Sequence, residues 1–126
     1  MRPIVADISY IAPLIDARRM EVYMKLIDKK GSALKDTRAV ILTPDLFDNY
    51  IEHAILLVGD GARKCEGFID HPHLKIAPDI YPRAQCMGIL AFQKFKEGSF
   101  ENLQDFEPNY LKKFHTMPSK NPLGNL

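Results

Sequence analysis

Four consecutive apolar residues, Ile55-Leu56-Leu57-Val58, run directly into Gly59-Asp60-Gly61, and this junction constrains the fold more than any other stretch of the chain. A short run with no polar alternation is buried on both faces, which places it in an interior strand of a layered α/β sheet and not in a sandwich. The glycines allow a sharp turn, after which Ala62, Cys65 and Phe68 or Ile69 recur at helical spacing. The segment reads as strand, tight turn, helix.

Upstream, Ile11, Ala12, Leu14 and Ile15 precede a polar Asp-Ala-Arg-Arg-Met-Glu turn, and Val22, Met24 and Leu26 then alternate with Tyr23 and Lys25, the pattern of a hairpin. Pro13 has no ladder donor, so its strand is expected at an edge or with Pro13 at a non-bonded position. Residues 28–32 read as a turn, and Ala39 to Leu42 as a third strand leading into a helix with Thr43 as N-cap, Pro44 at N1 and Asp45 in the first turn. Leu46, Phe47, Tyr50 and Ile51 would form its apolar face. Leu74-Lys75-Ile76 suggests a short strand. After Pro82, Ala84, Met87, Leu90, Ala91 and Phe95 repeat at three and four, and Gly98 stops that helix. From Glu107 onward, Pro108, Pro118 and Pro122 mark a tail.

A chain of 126 residues with 46% hydrophobic and 26% charged residues fits one globular domain with its own core. Cys65 and Cys86 sit in apolar, helix-like surroundings with no further pair, which points to buried reduced thiols and away from a disulfide framework or a zinc site. The net charge of +1 gives no global attraction to nucleic acid or anionic lipid. No apolar stretch is long enough to cross a bilayer, and the opening residues MRPIVADISY lack the apolar core of a signal peptide, so the expected location is the cytoplasm.

Three segments could carry chemistry, and each has a structural reading beside the functional one. Gly59, Gly61 and Arg63 around a strand-to-helix turn could hold a nucleotide phosphate on backbone N–H groups. The full dinucleotide and Walker patterns are missing, and Asp60 would cap the turn itself and repel a phosphate. Asp16, Arg18, Arg19 and Glu21 could form acid-base machinery or an anion clamp; the alternative is a hairpin connection held by cross-strand Arg–carboxylate pairs. Lys112, Lys113, His115 and Lys120, interleaved with Tyr110 and Phe114, could touch RNA, with a weak electrostatic footprint. His71-Pro72-His73 has no partner spacing for a metal and reads as a loop.

Four segments together, YIAPLIDARRMEVYMKLID (Tyr10 to Asp28), LLVGDGARK (Leu56 to Lys64), IYPRAQCMGILA (Ile80 to Ala91) and EPNYLKKF (Glu107 to Phe114), resemble the carboxy-terminal half of the bacterial TsaB (YeaZ) family, in the family's order. The resemblance implies an α/β fold, a mixed sheet flanked by helices that forms one lobe of the actin-like, ribonuclease H-like ATPase fold. Residues 1–106 would form that lobe and 107–126 a carboxy-terminal tail, whereas the family's amino-terminal lobe, opened by an L-x-I-D-T-S strand, is absent from this chain.

The implied function is that of a non-catalytic scaffold supporting a TsaD-like catalytic subunit, with a TsaE-like ATPase, in installing threonylcarbamoyladenosine on transfer RNA. Contact with transfer RNA would be indirect. An old glycoprotease label attaches to the wider superfamily, but no nucleophile, base or metal constellation supports it here. No cofactor, metal or catalytic residue is expected. Asp16, Arg18, Glu21 and Tyr23 stand as motif residues for partner contact, and Gly59, Asp60, Gly61 and Arg63 as a vestigial nucleotide turn. The other reading is a nucleotide-binding lobe of an actin-like or kinase-like enzyme or sensor using that turn. Without the amino-terminal lobe, an apolar face is expected to be uncovered, with self-association as its outcome.

Overall fold

A computed structural model of the chain describes residues 7–112. Its framework is a five-stranded mixed sheet in the order β3-β2-β1-β4-β5. The strands are β1 (Tyr10–Asp16), β2 (Glu21–Asp28), β3 (Ala33–Ile41), β4 (Ile55–Val58) and β5 (Leu74–Ala77). β1 pairs antiparallel with β2, and β2 with β3, whereas β4 runs parallel to β1 and β5 parallel to β4, so β2 alone opposes the other four. This is the α/β class with a mixed sheet that the sequence implies.

The hairpin forms because alternate residues face one core. Ala12 and Leu14 of β1 and Val22, Met24 and Leu26 of β2 are buried together with Ile55 and Leu57 of β4. The two crossover segments cover this same face. Leu42 and Phe47 come from the first and Ala62, Cys65 and Ile69 from the second. β1 is the middle strand despite Pro13. Its antiparallel register to β2 stops after Ile11↔Ile27 and resumes at Leu14↔Met24, so the missing donor falls in the gap.

Two expected helices take another form. Residues 43–53 make a chain of tight turns around a 3-10 helix at Asp48–Tyr50, with Leu46, Asp48, Tyr50 and Ile51 each donating to the carbonyl three residues back. Asp45, Asp48 and Asn49 favour turns over helix interiors, and Phe47, 1% exposed, anchors the segment, with Leu46 and Tyr50 packed partly buried against the same core. Likewise Asp60–Cys65 is a 3-10 helix, ended by Glu66 in extended backbone and Gly67 at φ 67°. β3 is longer than the expected Ala39 to Leu42, because Ala33 to Arg38 form an exposed edge stretch with no apolar alternation to announce it.

The helix after Pro82 is present as α1 (Ala84–Lys96). It ends on Gly98 at φ 67°, where the Gly98 N–H donates to the Phe95 carbonyl and the Ser99 N–H to the Lys94 carbonyl. None of its residues is buried, and Met87, Ile89, Leu90, Phe92 and Phe95 all face solvent. Cys86 is therefore exposed, not buried as its apolar neighbours suggest.

Candidate functional site

The hairpin turn and the glycine turn, 44 residues apart in sequence, meet at one end of the sheet. β1 and β4 run parallel, so both strands deliver their carboxyl ends there. The Asp60 carboxylate joins them by accepting from the Asp16 backbone N–H at 3.1 Å and from the Gly61 N–H at 2.8 Å. The glycines are required by proximity. A Cβ on Gly59, whose φ is +99°, would lie 2.3 Å from the Leu14 carbonyl oxygen, and one on Gly61 would meet the β1 backbone at 3.0 Å.

Lys64 completes the joint. Its Nζ donates to the Asp16 carboxylate at 2.7 Å, to the Arg19 carbonyl at 2.6 Å and to the Glu21 carbonyl at 3.0 Å. Asp16 also accepts from the Arg18 N–H at 2.6 Å. The Lys64 hydrogen bond, with the Arg18 N–H second, holds the Asp16 carboxyl below the usual aspartate range.

The Asp16–Glu21 turn is thus not closed by cross-strand arginine pairs. Arg18 and Arg19 both have left-handed backbone, φ 67° and 48°, and both are exposed. Lysines from elsewhere take the carboxylates instead, Lys64 on Asp16 and Lys112 on Glu21. Lys112 also donates to the Ala17 carbonyl at 3.0 Å and lies 5.9 Å from the centre of the Tyr23 ring. Asn109, Tyr110, Leu111 and Lys112 line a cavity of about 520 Å³ with Ile15, Tyr23 and Thr37, so the start of the tail returns to the hairpin. Lys113, Phe114, His115 and Lys120 lie outside the described residues, as does the rest of the tail after Lys112.

Arg63 turns the other way, into an ion pair with Asp79. That carboxylate, with the Tyr81 hydroxyl second, raises the arginine's already high pKa. Beside it a second cavity of about 430 Å³ is lined by Pro13, Ile15, Val58, Gly59, Asp60 and Tyr81, among others. The structure therefore brings Asp16, Arg18, Glu21 and Tyr23 to the same end of the sheet as Gly59, Asp60 and Gly61, with Arg63 at the margin. Sequence reasoning did not single out Lys64, which closes one quoted motif, and singled out Lys112 only for contact with RNA. Their partners are more than forty residues away, which no local pattern reports.

The remaining candidates have structural partners. His71 is buried, with Nε2 3.2 Å from the Tyr50 carbonyl and Nδ1 accepting from the His73 N–H at 3.2 Å, which assigns the Nε2–H tautomer. Burial pushes the Cys65 thiol up to about 11. Among the described residues no group of three or more His, Cys, Asp or Glu is placed to hold a metal, and no helix is long and apolar enough to cross a membrane.

Comparison with known proteins finds likeness in fold. YeaZ from Pseudomonas aeruginosa aligns with a TM-score of 0.57 and 22% identity over 84% of this chain and 51% of that one. A protein from the same organism, described as uncharacterized and similar to peptidase YEAZ, aligns with a TM-score of 0.60 and 21% identity, over 85% of this chain and 51% of that one. The chain spans about half the length of these structures. No family model and no curated protein matches it. The fold neighbours are thus proteins of the kind its four motifs resemble, and the shared fold is the actin-like one expected from them.

Proposed function

We propose that this chain is the carboxy-terminal lobe of a TsaB-like scaffold, with residues 1–106 as the lobe and 107–126 as its tail. In this role it supports a TsaD-like catalytic subunit, alongside a TsaE-like ATPase, in installing threonylcarbamoyladenosine on transfer RNA in the cytoplasm, and has no turnover of its own. The observation that supports this reading best is the Asp60 carboxylate on the Asp16 and Gly61 amides. An anion-binding turn needs free N–H donors, and here the protein's own carboxylate occupies two of them, which makes the turn a joint between strands. Likeness in fold to YeaZ and the order of the four motifs support the family assignment.

The test is reconstitution. The full-length protein that carries this lobe should yield no threonylcarbamoyladenosine alone and should raise the yield when added to a TsaD-like enzyme with its substrates. Synthesis by the protein alone, or an unchanged yield on addition, removes the reading.

The cavity beside Gly59 and Tyr81 favours one alternative, a nucleotide-binding lobe. Magnesium ATP titrated calorimetrically into wild type and Tyr81→Ala decides it. Heat that Tyr81→Ala abolishes supports nucleotide binding; absence of heat with wild type, or equal heat with both, disposes of it.

A further inference from the structure

The turn between β1 and β2 has a charge arrangement that hairpin closure alone does not require. It carries two carboxylates, Asp16 and Glu21, and two guanidinium groups, Arg18 and Arg19. Internal pairing of these four would neutralise the turn. Instead each carboxylate is met by a lysine brought from a distant segment, Lys64 or Lys112. Among the described residues, no ion pair or hydrogen bond engages either guanidinium group, and the bonds that reach these two residues are to their backbones. Both are also held in left-handed backbone, a conformation that disfavours side-chain-bearing residues and favours Gly, Asn or Asp. A turn selected only to join two strands would place those residues here.

The neighbourhood indicates what the arginines meet. Met20, next in the chain, is 41% exposed, and Ile15 and Ile41, 53% and 65% exposed, flank the same end of the sheet. The Leu42 N–H donates to the Met20 carbonyl at 2.8 Å, and Ile41 pairs with Glu21, so this apolar rim is fixed to the turn. Arginine and methionine beside aliphatic groups is the composition of a protein contact. A nucleic-acid strand would need a longer cationic track, and here Asp16, Glu21 and Asp60 interrupt it.

We infer that Arg18 and Arg19 form a docking tip for a protein segment in which two neighbouring carboxylates are flanked by aliphatic residues. Each guanidinium offers a planar donor fork that a carboxylate fills with two parallel hydrogen bonds, and the aliphatic groups cover Met20, Ile15 and Ile41. Lys64 and Lys112 keep the turn's own carboxylates from competing for the forks. The inference rests on the scaffold reading for the existence of such a partner.

The experiment uses this chain with a synthetic probe and no TsaD-like protein, so its failure is distinct from failure of the reconstitution. The ¹⁵N-labelled chain is titrated with the peptide Leu-Glu-Glu-Leu, blocked at both ends, up to about 10 mM, since a contact this small binds weakly. Amide shifts should be concentrated at residues 16–21 and 41–42 and should weaken as salt is added. Affinity should fall at least tenfold in Arg18→Gly/Arg19→Gly and in Arg18→Gln/Arg19→Gln, while Lys29→Gln/Lys30→Gln, at the other hairpin turn, leaves it unchanged. The glycine variant should remain as heat-stable as wild type or exceed it. No shifts with wild type, wild-type affinity in either arginine variant, or tighter binding of a single-stranded RNA 12-mer at the same amides would overturn the inference.

Discussion

Lys64 Nζ lies 2.7 Å from the Asp16 carboxylate across 48 residues of chain, and the same ammonium group binds two backbone carbonyls of the hairpin turn. One side chain thus fixes the turn's position on β4's exit. Lys64→Met removes all three contacts, and the two carbonyls alone are worth about 1 kcal/mol. Chemical denaturation at neutral pH should show the loss.

The pH dependence of this joint has a defined sign. Asp16 is held below its ordinary value by Lys64 and the Arg18 N–H. A depressed carboxylate stabilises the fold above its unfolded pKa, and that contribution is lost as pH falls through the folded value. Wild type should therefore lose stability below about pH 4 more steeply than Asp16→Asn, as followed by urea midpoints across the acid range. Parallel acid limbs would show that the pair contributes nothing.

Gly59 and Gly67 have positive φ, 99° and 67°, but different surroundings. A Cβ at Gly67 meets nothing within 4 Å, whereas one at Gly59 enters the Leu14 carbonyl. Gly67→Ala should cost about 1 kcal/mol, the backbone penalty alone. Gly59→Ala should cost at least 3 kcal/mol or prevent folding, because β1 and β4 would have to separate. Thermal midpoints of the two variants compare these directly.

The two thiols should separate in rate. Burial holds Cys65 up to about 11, whereas Cys86 is exposed on α1. At pH 8 only about one Cys65 in a thousand is thiolate. A chromogenic disulfide reagent should label one thiol quickly, and Cys86→Ser should abolish that fast phase.

Much of this architecture was legible in sequence, for reasons particular residues make plain. β4 declared itself because Ile55 to Val58 are apolar without interruption, and the hairpin because Val22, Met24 and Leu26 alternate. The helix after Pro82 follows from spacing and from Gly98. The first half of β3 was hidden, since an exposed edge strand selects no alternation. Both crossovers have helix-like apolar spacing, yet form 3-10 turns because one or two anchors, Phe47 or Ala62 with Cys65, suffice to seat so short a segment. At the candidate site the residues were visible but their pairings were not. That Lys64 and Lys112 would claim the turn's carboxylates depends on contacts 48 and 91 residues long, set by strand order.

The sheet order also has a consequence in time. β1, β2 and β3 are joined by short turns and can zip together locally, whereas β4 must find β1 in register across some forty residues, Tyr10↔Ile55 to Pro13↔Val58. Long-range parallel pairing is slow because the loop entropy is lost before the ladder forms. The three-stranded meander should thus gain amide protection first and β4 with β5 later. Until that second step, the flank of β1 that receives β4 is an unpaired edge at the middle of the future sheet, and this interval is when the nascent chain is most open to pairing with the wrong strand.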